Sequence, residues 1–454
     1  MDPATALPSH PQPAAAGAAL RVAVVGSGIA GLSAAWLLAQ RHHVEVFEAD
    51  SRAGGHSHTV EVPGPGGTLA VDTGFIVYNE PAYPNLTALF SHLGVPTQAT
   101  DMSFGLSLDG GALEYAGSSL NTLFAQRANL WRPRFWRMLR ELLRFYREAP
   151  RHAAAAGLQS LDDYLDAHGY GPALREDHLY PMAAAIWSTP AAQVGRYPTA
   201  AFVRFCENHG LLQLSGRPRW RTVQGGSRSY VRRLTQGFAD RLHLDSAVLQ
   251  VQRNADGVRL RTRAGWHPER FDQIVLACHA DQALRLLPDA SGEERHLLGA
   301  FGYSRNLAVL HSDPALMPRR RACWSAWNYL AERSRPDALC VSYWMNRLQG
   351  LAEDRPLFVT LNPLRPPRPE HLVRTEVYEH PIFDAGALRA QARLWSLQGQ
   401  RRSWFCGAYF GAGFHEDGLQ AGLAVAEALG GVPRPWNVPN ESGRIVLQHG
   451  TAAA

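Results

Sequence analysis

Lysine is absent from this sequence, so all 45 basic residues that are counted at neutral pH are arginines. The chain therefore has no lysine that could form a Schiff base, hold a phosphate in a P-loop or act as a general base. With 40 acidic residues the formal net charge is only +5. Because no arginine-rich tail or aromatic-spaced RNA motif accompanies that mild excess, we expect no nucleic-acid partner.

Cysteine pairs and long apolar runs are also missing. The cysteines are Cys206, Cys278, Cys323, Cys340 and Cys406. None belongs to a C-x-x-C pair, which argues against a metal site or a disulfide framework and predicts reduced thiols.

No apolar run approaches the length of a membrane span, so we expect a cytoplasmic protein that at most binds the inner face of a membrane. Residues 1–19 are rich in Pro and Ala and lack the parts of a signal peptide, which predicts a disordered tail.

A strand, a glycine-rich turn and a helix follow one another after this tail. The β-branched run Val22–Val25 predicts a buried strand, and Leu32–Gln40 is rich in the helix formers Ala and Leu. Between them, Gly26 would allow a tight turn, Gly28 would let backbone approach a pyrophosphate, and Gly31 would let helix and strand pack closely. Backbone N–H groups at the start of the helix would then face the phosphates.

A second strand and an acid complete the pattern. Val44–Phe47 predicts the strand, and Glu48 ends it roughly 20 residues after Gly26, where a carboxylate accepts hydrogen bonds from an adenosine ribose. An acid there disfavours NADP, whose 2′-phosphate would prefer an arginine. The ordered combination predicts a dinucleotide site, although it does not separate NAD from FAD.

Two polar, glycine-containing segments follow. Arg52 is of the kind that binds a phosphate, and the pair Gly54–Gly55 before His56 would permit another close approach of backbone to a cofactor. An ordinary Gly-Gly turn explains the pair equally well. The run Leu69–Tyr78 predicts a strand, a break at Asp72-Thr-Gly, and a further strand.

Together these residues resemble the N-terminal pattern of the superfamily of FAD-dependent amine oxidases, protoporphyrinogen oxidases and phytoene desaturases. The resemblance covers about residues 21–432. It implies an α/β fold in which a Rossmann-like FAD-binding domain with a parallel sheet is interleaved with an α+β substrate domain that contains an antiparallel sheet. The implied boundaries are 20–78, 217–290 and 400–432 for the FAD-binding domain, 79–216 and 291–399 for the substrate domain, and 433–454 for a C-terminal tail.

A second glycine-rich strand-to-helix junction lies near the C-terminus, where Trp404–Gly422 leads into a predicted helix Leu423–Leu429. In the superfamily this helix end faces the flavin and stabilises negative charge on the reduced ring, so the resemblance implies non-covalent FAD rather than NAD. It also implies that Val248 contacts adenine through its backbone. The candidate cofactor-binding residues are Gly26, Ser27, Gly28, Ile29, Ala30, Gly31, Glu48, Ala49, Arg52, Gly54, Gly55, His56, Thr73, Gly74, Phe75, Val248, Gly407, Glu416, Asp417, Gly418 and Leu419.

Two departures narrow the resemblance. Amine oxidases usually place an acid after the glycine that here is Gly407, to bind the ribitol chain, so either Glu416 or Asp417 replaces it or backbone groups do. They also commonly hold a water against the flavin with a lysine, and oxygen activation by that route is excluded here. The candidate catalytic residue is His415, which lies beside the implied flavin edge and titrates near neutrality; the alternative is that it only fixes the loop by a hydrogen bond.

The segment Arg127–Glu148 predicts an amphipathic helix, with Pro133 in its first turn. Its apolar face is Trp131, Phe135, Met138, Leu142 and Tyr146, and its basic face is Arg137, Arg140, Arg144 and Arg147. Such a helix, within 127–147, would lie on an anionic membrane surface, or would pack its apolar face on the core. Further along, Trp187, Trp220, Tyr329, Tyr343 and Trp344 are candidate pocket aromatics.

Four short runs narrow the resemblance to a bacterial branch of FAD proteins. They are DTGFIVYN, AAAIWSTP, YEHPIF and CGAYFGAGFHEDGL. These proteins are similar to the flavin domain fused to plant cyclopropane fatty acid synthases. The resemblance implies an FAD-dependent oxidoreductase that transfers hydride to or from a fatty-acyl chain of a lipid. Two alternatives remain: an amine or small-molecule oxidase, and a non-catalytic FAD-binding partner of a lipid methyltransferase.

Overall fold

The computed structural model of the protein describes residues 18–64, 67–188 and 190–447. Most of the predicted N-terminal tail, residues 1–17, and the last seven residues, 448–454, lie outside the described residues.

The strands in the described parts of the chain are numbered in chain order. They are β1 (Arg21–Val25), β2 (His43–Phe47), β3 (Thr59–Gly64), β4 (Gly67–Asp72), β5 (Tyr78–Asn79), β6 (Thr97–Thr100), β7 (Phe104–Leu108), β8 (Leu113–Ala116), β9 (Trp220–Val223), β10 (Leu242–His243), β11 (Val248–Asn254), β12 (Gly257–Thr262), β13 (Gly265–Trp266), β14 (Gln273–Leu276), β15 (Gly302–His311), β16 (Trp327–Ala331), β17 (Cys340–Trp344), β18 (Phe358–Leu361), β19 (Leu372–Ile382) and β20 (Ser403–Phe405).

The α-helices are numbered in the same way. They are α1 (Ile29–Leu38), α2 (Pro84–His92), α3 (Leu120–Leu123), α4 (Pro133–Ala156), α5 (Leu161–Ala167), α6 (Pro172–Leu174), α7 (Tyr180–Trp187), α8 (Ala191–Val194), α9 (Thr199–Asn208), α10 (Arg228–Thr235), α11 (Ala280–Leu286), α12 (Gly292–Leu298), α13 (Met345–Gln349), α14 (Ala385–Gln391) and α15 (His415–Ala428). Shorter 3₁₀ turns connect several of them, among them Arg127–Trp131 before α4.

A five-stranded sheet of order β10-β2-β1-β14-β20 has every neighbouring pair parallel. Its central strand β1 is apolar because both of its faces are covered, as the run Val22–Val25 predicted. Helix α1 begins at Ile29, three residues before the predicted start, and packs on α15. The sheet is thus assembled from segments far apart in sequence, and all its strands end at one edge.

A seven-stranded sheet of order β19-β15-β18-β17-β16-β7-β8 forms the floor of the other half of the molecule. All its pairs are antiparallel except β16 with β7. The resemblance implied such a sheet, and several runs between Tyr303 and Gln391 alternate apolar and polar residues with the period of a β-strand. The α/β class, with a parallel sheet beside an antiparallel one, is therefore confirmed.

Helix α4 begins at Pro133, which fits the first turn because its missing N–H would have no partner there. Phe135 and Met138, from the predicted apolar face, are buried in the core with α9, whereas Trp131 precedes the helix and is 86% exposed. Phe135 and Met138 of the predicted face are therefore core residues that are not free to enter a membrane, and Trp131 is the exposed member of that face. No helix in the described parts of the chain is long and apolar enough to cross one.

Residues 433–447, which were predicted as part of a tail, pack against the parallel-sheet half. Trp436 stacks on Trp36 of α1 with 5.8 Å between ring centroids, and Arg434 pairs with Glu427 of α15. Helix α15 itself begins at His415, eight residues before the predicted start. The N–H of Phe414 donates to a carboxylate oxygen of the third helical residue at 2.8 Å, which caps the helix at that point.

Candidate functional site

A cavity of about 1570 Å³ begins at the carboxyl ends of β1, β2, β14 and β20 and extends over the antiparallel sheet. Pockets for single small ligands are typically about 300–1000 Å³, so this cavity can hold a dinucleotide together with a substrate. Its position follows the rule that open α/β sheets bind ligands beyond the carboxyl ends of their strands.

The glycine turn at the end of β1 supplies one wall of this cavity. A Cβ atom at Gly31 would lie 2.0 Å from the carbonyl oxygen of Gly26, so the turn requires glycine for packing. Gly26 has φ +100°, and a Cβ there would lie 2.9 Å from the carbonyl oxygen of Ala277. By contrast, a Cβ at Gly28 would meet no atom within 4 Å. Gly26 and Gly31 thus have the steric roles that the sequence predicted, and Gly28 leaves the open space at the start of α1 that an approaching ligand would need.

Glu48 ties the end of β2 to this turn. Its Oε2 accepts hydrogen bonds from the backbone N–H of Ser27 at 2.8 Å and from the Ser27 hydroxyl at 2.5 Å, and its Oε1 accepts from the Asp50 N–H at 2.9 Å. A carboxylate can accept about four hydrogen bonds, so one site remains for a ligand hydroxyl. Glu48 lines the cavity and is held in place before any ligand binds.

Arg52 and His56 contribute buried polar atoms that have no partner among the described residues. These atoms are Arg52 Nη1 and His56 Nε2, and both side chains line the cavity. Burial is the main reason that the pKa of His56 is well below its usual range. Gly55, which lies between these two residues in sequence, packs closely against the glycine turn, because a Cβ there would lie 3.1 Å from the Cα of Gly28. The Nη2 atom of Arg52 lies 3.8 Å from Asp50, whereas the unsatisfied Nη1 group fits an anion such as a pyrophosphate at the open helix N-terminus.

Most of the sequence-predicted cofactor residues line this one cavity. They are Gly26, Ser27, Gly28, Ile29, Ala30, Glu48, Ala49, Arg52, Gly55, His56, Thr73, Gly74, Phe75, Val248, Gly407 and Gly418, together with the catalytic candidate His415. Gly31, Gly54 and Leu419 lie behind the wall and shape it.

Glu416 and Asp417 are not at the cavity, which corrects the expectation that one of them replaces the missing ribitol-binding acid. Glu416 accepts hydrogen bonds from the N–H groups of Asn85 and Leu86, at 3.0 and 2.9 Å, and so caps α2. Asp417 accepts from Phe414 N–H at 2.8 Å and pairs with Arg444. Both carboxylates are fully buried and already satisfied. Of the alternatives considered, only the backbone groups of the loop remain.

His415 belongs to a hydrogen-bonded group that the sequence did not reveal. Its Nε2 lies 2.7 Å from the Tyr230 hydroxyl and 3.2 Å from the Ser57 hydroxyl, which also contact each other. Its ring stacks on Phe75 at a centroid distance of 3.9 Å. Desolvation lowers the pKa of His415 to about 3, so the imidazole is neutral at physiological pH. The expectation that it titrates near neutrality is therefore wrong, because the wall removes it from water.

The part of the cavity over the antiparallel sheet and the helices is mainly apolar. Its lining includes Met102, Phe104, Tyr146, Met182, Ile186, Phe205 and Phe414. Of the candidate pocket aromatics, Trp187, Trp220 and Tyr343 line the cavity, whereas Tyr329 and Trp344 are buried elsewhere in the sheet. A surface of this kind binds a hydrocarbon portion of a ligand and excludes water.

Two buried histidines, which the sequence did not single out, provide hydrogen-bond acceptors in this apolar part. His209 Nδ1 lies 2.9 Å from the carbonyl oxygen of Phe205, which can only accept, so Nδ1 carries the proton. The Tyr115 hydroxyl donates to the Asp177 carbonyl oxygen at 2.7 Å, so His178 Nδ1 must donate to the tyrosine oxygen, 2.8 Å away. In both rings Nε2 is left as an acceptor without a partner among the described residues, in the cavity wall.

These two rings stay neutral at physiological pH. Burial is the largest effect on both, with nearby arginines adding to it: the pKa of His178 falls to about 4 and that of His209 to about 3. Neutral acceptors of this kind bind a hydroxyl or an N–H group of a ligand.

The balance of unpaired charge in the same part of the cavity is positive. Arg217, Arg219 and Arg305 line it without an acidic partner within 4 Å in the described ranges. The carboxylates that line it are Asp101, Glu376 and Glu379, and each already contacts Arg347, Arg374 or His279. The arrangement disfavours a cationic ligand and tolerates a neutral or anionic one.

Comparisons with known proteins give a consistent result. The family model described as flavin containing amine oxidoreductase matches residues 29–312. No curated protein sequence matches the chain. Similar solved structures include a putrescine oxidase variant with redesigned cofactor binding (TM-score 0.64, 17% identity, covering 90% of this chain and 99% of that one) and a CLA-producing fatty acid isomerase from P. acnes (0.64, 15%, 90% and 97%). A cyclohexylamine oxidase from Brevibacterium oxydans is also similar (0.65, 16%, 90% and 99%). At these identities the structures support the fold alone.

Proposed function

This chain belongs to the flavin-containing amine oxidoreductase family and is therefore an FAD-dependent oxidoreductase; we propose that it transfers hydride between FAD and the acyl chain of a lipid. The bound flavin supplies a reversible two-electron hydride acceptor. The protein supplies binding, orientation and a cavity that excludes water.

The residues at the carboxyl edge of the parallel sheet fit this cofactor. Gly28 and the start of α1, with the unpaired Nη1 of Arg52, suit the pyrophosphate, and the free acceptor site of Glu48 suits the adenosine ribose. Backbone groups of the Gly407–Gly418 loop suit the flavin end of the molecule. Neutral His415, held by Tyr230, positions this loop and does not act as a charged acid.

The chemistry of the cavity over the antiparallel sheet is the observation that carries the acyl-chain proposal. Its walls are aromatic and aliphatic, and its unpaired charges are arginines, so it suits a hydrocarbon chain with a neutral or anionic end. Of the carboxylates in this part of the described wall, Asp101 and Glu376 already pair with arginines, which leaves Glu379, 3.5 Å from His279, against three unpaired arginines. The fold likeness to a fatty acid isomerase is compatible with this proposal.

An amine or small-molecule oxidase is the second candidate. The free Nε2 acceptors of His178 and His209 favour it, because they would accept hydrogen bonds from the N–H groups of a neutral amine or from a hydroxyl. Putrescine and cyclohexylamine oxidases share the fold.

The test is anaerobic mixing of the FAD-loaded protein with defined compounds, followed by the loss of oxidised-flavin absorbance. We expect bleaching with oleate or dioleoyl phosphatidylglycerol, with one desaturated acyl product per flavin reduced, and no bleaching with putrescine or cyclohexylamine. Bleaching by the amines alone would replace the proposal by the second candidate. If neither class reduces the flavin, and the protein copurifies with a lipid methyltransferase, the non-catalytic partner role is supported instead.

A further inference from the structure

Apolar side chains are exposed together around the first turns of α4. They are Leu120, Leu130, Trp131, Trp136 and Leu143, and they are called here the tryptophan patch. Trp131 is 86% exposed and Leu120 is 77% exposed. Single exposed apolar residues are ordinary on protein surfaces, whereas a contiguous group that includes two tryptophans marks an interaction surface.

Trp136 joins the segments that carry the patch. The indole N–H of Trp136 donates to the carbonyl oxygen of Leu130 at 2.9 Å, which joins α4 to the turn before it. The Trp136 ring lies 5.4 Å from that of Phe124, the residue that ends α3, so the segment bearing Leu120 packs beside it. Leu143 follows Trp136 by two helical turns on the same exposed face.

Positive charge surrounds the patch. Arg127, Arg137, Arg140 and Arg147 are exposed on the same elements. Neither Arg137 nor Arg140 has an acidic partner within 4 Å among the residues that the structure describes. Glu141, the nearest acid in the helix, is engaged elsewhere, because it accepts a hydrogen bond from the Gly171 N–H at 3.0 Å. Exposed tryptophans among unpaired arginines are typical of surfaces that lie in the headgroup layer of an anionic membrane.

The patch is continuous with the cavity. The exposed residues Gly117 and Ser118 line the cavity and directly precede the segment that bears Leu120. On the other side, Tyr146 lines the cavity one turn of α4 beyond Leu143. A molecule on the patch therefore lies beside an opening of the cavity.

We propose that the tryptophan patch docks on the surface of an anionic phospholipid bilayer and brings this opening to the membrane. An apolar substrate can then enter the cavity without crossing water. The surface does not suit a second copy of the chain, because pairing it with itself would bring like charges together. The proposal does not depend on the reaction, because vesicle binding is measured without turnover and can fail while flavin reduction succeeds.

Sedimentation of the FAD-loaded protein with vesicles tests the proposal. We expect binding to phosphatidylglycerol vesicles and little binding to phosphatidylcholine vesicles, with the former weakened by salt because the arginines are screened. Trp131→Ala should reduce binding about tenfold, because it removes the most exposed apolar side chain of the patch. Arg140→Gln should reduce it severalfold.

Matched controls lie on the β12–β13 hairpin, in the other half of the molecule. Trp266→Ala removes a tryptophan that is 38% exposed, and Arg263→Gln removes an exposed arginine; neither should change vesicle binding. Flavin absorbance reports that each variant is folded. Equal binding of Trp131→Ala and Trp266→Ala would overturn the proposal, as would equal binding to both lipids. A doubled solution mass that is lost in Trp131→Ala would assign the patch to self-association instead.

Discussion

Glu416, the second residue of α15, accepts hydrogen bonds from both the backbone N–H and the side-chain amide of Asn85, at 3.0 and 2.8 Å. The first turn of α15 is thereby joined to the first turn of α2, across more than three hundred positions of sequence. In the sequence this carboxylate lies beside a glycine-rich loop and resembles a cofactor ligand. In the structure it is a buried helix cap.

Glu416→Gln should therefore destabilise the fold while leaving the cofactor site intact. A glutamine has only one acceptor oxygen, and its NH₂ group would face an N–H group of Asn85 or Leu86. The free energy of unfolding should fall by about 2–3 kcal/mol. Urea unfolding measures the loss, and FAD titration of the folded variant should give a dissociation constant close to that of the parent protein. Unchanged stability with lost FAD affinity would return Glu416 to the cofactor site.

Alanine at two glycines of the same turn should have opposite effects. Gly28→Ala meets no atom within 4 Å and has φ −68°, so the variant should unfold at the parent temperature. Its methyl group would occupy space at the start of α1, and FAD affinity should fall at least tenfold. Gly31→Ala places Cβ 2.0 Å from the Gly26 carbonyl oxygen and should instead lower thermal stability strongly, even without FAD. Thermal unfolding of the apoprotein with FAD titration separates the two, and a destabilised Gly28→Ala variant would contradict the assignment.

Arg52→Gln should weaken FAD binding about tenfold, because it removes from the cavity wall a cationic group whose buried Nη1 has no partner among the described residues. The loss should shrink in concentrated salt, which already screens the attraction. Arg285→Gln is the matched control, since Arg285 also lines the cavity but is paired with Asp281 at 2.6 Å. If both variants bind FAD equally, the guanidinium of Arg52 does not face the cofactor.

Stability should fall in mild acid because buried histidines must gain protons on unfolding. Burial lowers the pKa of His178 and His311 to about 4 and that of His209 to about 3, against about 6.5 when exposed. The unfolded chain binds more protons below pH 6.5, so their contribution is fully present above that pH and is lost as the pH falls toward 4. Asp72 opposes the trend, because burial raises its pKa to about 6 and the folded state then gains the proton first.

Urea midpoints measured from pH 8 to pH 4.5 test this dependence. We expect a plateau down to about pH 6.5 and a decline below it. His209→Asn, in which the amide can still donate to the Phe205 carbonyl oxygen, should have a shallower decline. The exposed His296→Asn should follow the parent curve. A midpoint that stays constant to pH 4.5 would show that these imidazoles are not buried as neutral groups.

Local patterns were sufficient to predict the geometry of the glycine turn after β1 and the position of the acid beside it. The turn at Gly26–Gly31 and the acid at Glu48 act through backbone sterics and short spacing, which a sequence displays directly. The runs of alternating apolar and polar residues that form strands among β15 to β19 can be recognised for the same reason, because strand periodicity is a local property of the sequence.

The sequence did not predict the polar groups whose hydrogen-bond partners lie far away along the chain. Nothing near His415 in sequence indicates that Tyr230 and Ser57 bind its ring or that desolvation lowers its pKa. The same holds for His178, whose free acceptor atom follows from a hydroxyl more than sixty positions away. Hydrogen-bond networks and desolvation depend on long-range packing, so they appear only in three dimensions.

The sequence by itself determined the α/β class, the glycine turn after β1 and the absence of any lysine chemistry. It also predicted an arginine-rich helix over Arg127–Glu148, which in the structure begins at Pro133. Tertiary structure alone decided which side of that helix is buried, that Glu416 and Asp417 are structural, and that apolar walls and unpaired arginines share one cavity. The physical reason is the separation in sequence over which each effect acts. Helix propensity and glycine sterics act between near neighbours, whereas burial and charge pairing depend on which distant segments pack together.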